Sequence, residues 1–344
     1  MGTVNDAVSV ADRSVKGLSM SDIAHRMIAA NGINIHIAEQ GQGPVVLLLH
    51  GFPELWYSWR HQLLALADAG YHAVAPDVRG YGRTDAPEAI EGYTMLNLTA
   101  DAVGVLDALG AERTVVVGHD WGAPIAWHCA LLYPDRFSAV VALSVPYTPR
   151  SRTPPIQALK QIFADNFFYI LYFQQPGVAE VELEVDVRRS MRMALYAWSG
   201  GAPKGTAFMP KPKSARLFDA MPGPERLPPW LTEADLNYYV GEFERTGFRG
   251  GLNRYRNMDR DWEQLAHLAG AEVQQPALFI AGDRDPVLGF TRMDALKTHV
   301  PNLREVVMLP GCGHWTQQER PSEVNRELIE FLAALELSYP LAPE

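Results

Sequence analysis

The sequence predicts an α/β fold: a mostly parallel central sheet flanked by helices, with a block of helices inserted into it. Three features carry that expectation. Short apolar runs rich in Val, Leu and Ile, the mark of strands buried on both faces of a parallel sheet, alternate with segments whose apolar residues recur at helical spacing. The alternation stops at Pro146 and resumes only near residue 277; the text between is Pro-rich and aromatic. Ahead of that break, Val115-Val-Val-Gly-His-Asp120-Trp-Gly-Ala-Pro124 takes a β-branched run into a helical segment through one tight turn flanked by Gly118 and Gly122.

Residues 27–39 alternate Ile33, Ile35 and Ile37 against Asn34, His36 and Ala38, and Asn31-Gly32 separates two short runs, so a hairpin is expected. Gly41-Gln-Gly-Pro44 turns into a strand at 45–49, which His50-Gly-Phe-Pro53 breaks. Trp56, Trp59, Leu63 and Leu64 give helical spacing to 54–66. A strand at 71–75 leads into the Gly-rich polar loop from Pro76 to Asp85, and a helix at 96–109 closes on Gly110 as a cap. A strand at 114–117, a helix at 124–132 and a strand at 137–145 precede the break. After it come a strand at 277–280, a segment at 291–300, a strand at 305–309 and an amphipathic helix at 322–335.

The expected organisation is a lead-in over 1–25, a core made of 26–145 and 266–344, and a helical insertion over 146–265. An insertion beyond the carboxyl ends of the strands would cover the ligand crevice of an open parallel sheet, and so reads as a lid. Residues 1–20 are polar and mixed in charge, without the apolar centre of a secretory signal, and read as a flexible lead-in or short helix. The net charge of −10 argues against nucleic acid and anionic membranes as partners. No apolar run approaches the roughly 18–20 residues that span a bilayer. Cys129 and Cys312, the only cysteines, are too few for a disulfide framework or a thiolate metal site. A reducing, cytoplasmic setting is expected, and the oligomeric state is open, a homodimer included.

The chemistry lies at strand ends. A strand that feeds a helix through so sharp a turn needs small residues on both sides, because a Cβ there would strike neighbouring backbone. The apex is then strained and expected to stand exposed above the sheet, which is the geometry of a nucleophile elbow. Here the apex is Asp120. Asp285 follows the strand at 277–280 in Gly282-Asp-Arg-Asp285-Pro, with Asp283 as a rival for the same role, and His314 follows the strand at 305–309 in Pro310-Gly-Cys-Gly-His314-Trp. Nucleophile, acid, histidine is the chain order of the α/β-hydrolase fold. In that fold an oxyanion is held by the N–H after the nucleophile and by one from the loop after the third strand. Those are Trp121 and Phe52, since Pro53 has no N–H to give. Phe52, Pro53 and Trp121 are also expected to line the substrate pocket, with Phe163 and Met193 as further guesses.

Five motifs carry a resemblance: His50-Gly-Phe-Pro-Glu54, Gly118-His-Asp120-Trp-Gly122, Phe173-Gln-Gln-Pro-Gly177-Val-Ala-Glu180, Asn253-Arg-Tyr255-Arg-Asn257 and Gly311-Cys-Gly-His314-Trp315. In this order they resemble the epoxide hydrolases of the α/β-hydrolase superfamily, and closely the C-terminal hydrolase domain of the soluble kind, over about residues 26–336. The resemblance implies hydrolysis of an epoxide to a vicinal diol with water as the only other reactant and no metal or organic cofactor. It also implies two tyrosines that hold the epoxide oxygen: Tyr169, with Tyr172 as its local rival one helical turn on, and Tyr255. Read alone, residues 167–173 are an aromatic core stripe and Tyr255 is a solvated helix residue. Two other readings stand beside this one: a haloalkane or haloacid dehalogenase of the same fold, which also uses an aspartate, and a catalytically silent ligand-binding protein.

Overall fold

Asn31 and Gly32 take positive φ values of 47° and 75° and close β1 (Ala24–Ala30) and β2 (Ile33–Gln40) into an antiparallel hairpin. The computed structural model describes residues 19–338, so residues 1–18 of the lead-in expected over 1–25 lie outside the described residues, and β1 already begins within its last two. After β3 (Val45–Leu49) the chain does not enter a helix at once. Glu54 N–H bonds to Gly51 O in a turn, a 3-10 turn covers Trp56–Trp59, and only then does α1 (Arg60–Asp68) begin. The series continues with β4 (His72–Pro76), α2 (Met95–Leu109), β5 (Thr114–His119), α3 (Gly122–Leu132) and β6 (Phe137–Leu143). Thr94 caps α2 through Asn97 N–H, and Gly110 ends it at φ 67°.

Seven helices come next: α4 (Pro155–Ile162), α5 (Tyr169–Tyr172), α6 (Val178–Glu184), α7 (Val187–Ala197), α8 (Glu233–Thr246), α9 (Arg249–Arg256) and α10 (Met258–Gln264). The Pro-rich stretch between α7 and α8 is tied down by buried polar groups. Lys211 Nζ donates to Leu217 O at 2.5 Å, and the Glu182 carboxylate accepts from the N–H groups of Leu217 and Phe218. The chain then closes with β7 (Ala277–Gly282), α11 (Met293–His299), β8 (Leu303–Leu309), α12 (Thr316–Glu319) and α13 (Pro321–Ser338).

The sheet order is β1-β2-β4-β3-β5-β6-β7-β8, antiparallel from β1 to β4 and parallel thereafter. Alternate residues of each parallel strand feed opposite layers. Leu47, Val116, Val140 and Phe279 pack under α2 and α3 against Val105 and Trp127. Val46, Leu48, Val117 and Ile280 pack on the other face against Leu63 of α1 and Val324 and Leu328 of α13. A third core joins the inserted helices to the sheet's carboxyl end, where Phe173, Leu183, Leu195 and Tyr255 meet Leu55, Tyr81 and Trp315. No described helix is long and apolar enough to cross a membrane.

Candidate active site

Gly118 and Gly122 leave no room for side chains at the turn between β5 and α3. A Cβ on Gly118 would lie 2.0 Å from Gly122 O, and one on Gly122 would lie 1.9 Å from Leu49 O. The turn forces Asp120 to φ 50°, a costly conformation for a residue with a Cβ. The strain agrees with the sequence reading, but the exposure does not. The side chain of Asp120 is only 15% exposed, because the inserted helices roof it over.

The two oxygens of Asp120 have different neighbours. Oδ1 accepts from Phe52 N–H at 2.8 Å, while Oδ2 lies 3.3 Å from His314 Nε2. Trp121 is the N-cap residue of α3, so its N–H has no acceptor within the helix. On its far side, His314 Nδ1 meets both oxygens of Asp285 at 3.0 and 3.1 Å. Asp285 is buried and also accepts from Val287 N–H at the start of a 3-10 turn. Asp283 instead is exposed and accepts from Gly311 N–H, which shapes the loop before His314.

Electrostatics follows from this line of three groups. Burial works against a charge on Asp120, yet the hydrogen bond and charge of His314, with help from His119 and Phe52 N–H, hold its carboxyl below the ordinary range. Burial likewise disfavours the imidazolium of His314. The Asp285 and Asp120 carboxylates outweigh it and raise His314 well above the ordinary histidine range.

Across the cavity stand the two tyrosines. Tyr169 and Tyr255 both line it, with ring centroids 6.0 Å apart. Burial first, then the Asp120 charge, raises both phenols well above their ordinary value, so both keep their protons. The neighbouring Trp121 indole, edge-on to the Tyr255 ring, pulls that phenol the other way, and burial and the Asp120 charge outweigh it. Tyr172 does not line the cavity; its hydroxyl donates to Glu182 Oε2 at 2.7 Å. Tyr255 is 4% exposed, so a solvated-helix reading of that residue fails: α9 lies too close to the core loops. A Cβ on Gly250 would meet Gly80 O at 2.1 Å, and one on Gly251 would meet Phe52 Cδ2 at 2.6 Å.

Phe52 and Pro53 line the cavity, together with Phe173, Leu183, Ser190, Ala194, Leu217 and Phe248 among others. Three residues expected there are placed elsewhere. Trp121 is not among the lining residues, because its ring stands edge-on to Tyr255 at 5.1 Å with the Arg254 guanidinium over it at 4.6 Å. Phe163 stacks on Phe168 at 4.1 Å, and Met193 faces an outer groove beside Arg188 and Arg192.

Sequence reasoning gave no role to a buried network behind the site. Glu54, fully buried, accepts from Gly51 N–H, Gln317, Gln318 and His119 Nδ1, the last at 2.6 Å. His119 Nε2 reaches the carbonyl of His314 at 2.6 Å, and Ser144 Oγ donates to that carbonyl at 2.9 Å. Ser144 takes φ 68° to do so. One carboxylate thus braces the Phe52 loop and the His314 loop together. The signal was present in the quoted Glu54 and His119, but their pairing across 65 residues is a tertiary fact.

Known proteins resemble this chain in sequence and fold. A family model described as the alpha/beta hydrolase fold matches residues 44–321. Epoxide hydrolase A of Mycobacterium tuberculosis is 52% identical over 315 residues, covering 91% of this chain and 98% of that protein. The crystal structure of Epoxide Hydrolase A from Mycobacterium thermoresistibile is 53% identical with a TM-score of 0.87, over 90% of this chain and 98% of its own. An epoxide hydrolase structure from an endophytic Streptomyces is 51% identical with a TM-score of 0.89, over 92% and 96%. The chain belongs to the α/β-hydrolase fold family and, within it, to the epoxide hydrolases.

Proposed function

We propose that the chain hydrolyses epoxides to vicinal diols through a covalent ester on Asp120, with Tyr169 and Tyr255 holding the ring oxygen. The observation that carries this reading is the division of the Asp120 carboxylate. Oδ1 is held by Phe52 N–H, and Oδ2 is turned toward His314 in a cavity whose other wall bears two protonated phenols.

In the first step Oδ2 attacks a ring carbon in line with the breaking C–O bond. The ring oxygen takes hydrogen bonds from the two phenols and a proton from one of them, so it never leaves as a bare alkoxide. Ester formation removes the negative charge of Asp120. One of the two carboxylates that raise His314 is then gone; the imidazolium gives up its proton, the tyrosinate regains one, and the neutral ring can act as a base. His314, oriented by Asp285, takes a proton from water, and the hydroxide attacks Cγ of Asp120. The tetrahedral oxyanion forms on Oδ1, where Phe52 and Trp121 N–H groups stabilise it; losing one such donor typically costs about 10²–10³ in rate. Cleavage of the Cγ–Oδ2 bond, with the leaving oxygen taking the proton from the His314 imidazolium, releases the diol with Oδ2 in it; the water oxygen remains on Asp120, whose carboxyl proton returns to His314.

The tyrosine pair disfavours the dehalogenase reading. A halide leaves as a stable anion that needs no proton, so two protonated phenols facing the cavity of Asp120 would have no task. Incubating the His314→Gln variant with styrene oxide tests the proposal by intact mass. The expected result is a mass increase equal to one substrate, located on the Asp120 peptide. A variant that stays unmodified while the native enzyme forms diol speaks against the ester.

A further inference from the structure

Ser190 belongs to none of the chemistry above. It sits on α7 at 1% exposure, it lines the cavity, and its hydroxyl has no hydrogen-bond partner. A helical serine commonly returns its hydroxyl to the carbonyl four residues back. Here the Asp186 carbonyl takes only the backbone N–H of Ser190, at 3.0 Å. Buried polar groups without partners are rare, and each calls for a reason. The surroundings make this one conspicuous, since Phe173, Leu183, Ala194, Leu217, Phe248 and Val287 offer the cavity no polar side-chain atom. Among the described residues that line it, Ser190 carries the one hydroxyl outside the tyrosine pair.

Its position along α7 says what it could meet. Ser190, Ala194 and Trp198 follow at intervals of four and form one stripe on the cavity wall. The end of the stripe at Trp198 is fixed at the reacting groups, because Trp198 O accepts from His314 N–H at 2.9 Å. Ser190 therefore stands two helical turns, about 12 Å, farther along the wall. We propose that Ser190 is a distal substrate subsite: it donates a hydrogen bond to an oxygen at the far end of an otherwise apolar epoxide. The hydroxyl then selects, by length, substrates with an ether, carbonyl or hydroxyl oxygen placed to reach it. The proposal rests on the epoxide hydrolase reading.

Matched pairs of substrates test it. In each pair a 1,2-epoxyalkane is compared with the ether in which one distal methylene is replaced by oxygen, over a range of chain lengths. With the unmodified enzyme the ratio of kcat/KM, ether over hydrocarbon, is expected to peak at one length. In Ser190→Ala the peak drops about five- to tenfold, through KM, which is the worth of one ordinary hydrogen bond. The thermal midpoint of the variant stays level or rises, because an unpaired buried hydroxyl is removed. A ratio that is equal in both proteins at every length overturns the proposal, and so does a lower midpoint, which marks a structural serine. Styrene oxide with the unmodified enzyme separates the two levels. Diol from styrene oxide with an indifferent ratio rejects only the subsite, while no diol from any epoxide rejects the reading beneath it.

Discussion

At Asp120 one oxygen accepts from Phe52 N–H and the other faces His314, and the residue-scale expectations of the proposed mechanism follow from that division. Tyr169→Phe and Tyr255→Phe keep the packed rings and delete one proton donor each. Each is expected to slow ester formation about 10²-fold in rapid-quench experiments, with the double variant slower still. Tyr172→Phe should instead lower the thermal midpoint, through its lost bond to Glu182, and leave ester formation near the native rate. The charge on His314 gives a pH expectation whose sign can be worked out. In the free enzyme the Asp285 and Asp120 carboxylates lift its pKa; in the ester only Asp285 remains charged. Ester breakdown needs the neutral ring, so its rate rises with pH through a pKa that lies below the one His314 shows by NMR in the free enzyme. Equal values, or a higher one in the ester, would contradict the coupling. Asp285→Asn removes the remaining charge and the tautomer lock together, and should make the ester accumulate.

Helix α9 shows how an element carries a residue to its place. Gly250 and Gly251 let it lie against the Gly80 backbone and the Phe52 ring, and Tyr255 arrives over Asp120 as a result. Arg254 locks the helix from the other side, with an ion pair to Asp261, a bond to Tyr93 O at 2.8 Å and its guanidinium over Trp121. Gly250→Ala would place a Cβ 2.1 Å from a backbone oxygen, so the helix must back away. The variant should remain folded and lose about 10²-fold in kcat/KM, since catalysis tolerates displacements of about 1 Å poorly. Native turnover in this variant would show that α9 does not set the position of Tyr255. This element also marks where sequence reading stops. Asp120, Asp285 and His314 follow strands, and strands announce themselves by apolar runs. Tyr255 sits among arginines and asparagines that look solvated until the glycines are seen to press the helix onto the core. Only the family resemblance pointed to it. The cavity wall was equally hidden, because Ser190, Leu217 and Phe248 come from separate parts of the insertion and meet only in the fold.

The molecule as a whole is one sheet with a core on each face and a third core that binds the inserted helices to the carboxyl end of the sheet. The sheet was legible nearly strand by strand because its central strands are buried on both faces, and strand ends differ from the sequence reading by at most three residues. The third core was not, as its contacts join residues far apart in the chain and leave no period. Its energetic role is nevertheless plain. Truncating Phe173 or Leu195 to Ala in such a site typically costs about 2–5 kcal/mol, and here the loss would also flood the cavity with water. The central claim for the assembled molecule is that the diol takes an oxygen from Asp120. A single turnover in heavy-oxygen water, with enzyme in excess over styrene oxide, reads it directly. An unlabelled diol and one heavy oxygen in the Asp120 peptide are expected; label in the diol on that first turnover would mean that water attacks the epoxide directly and that no ester forms on Asp120.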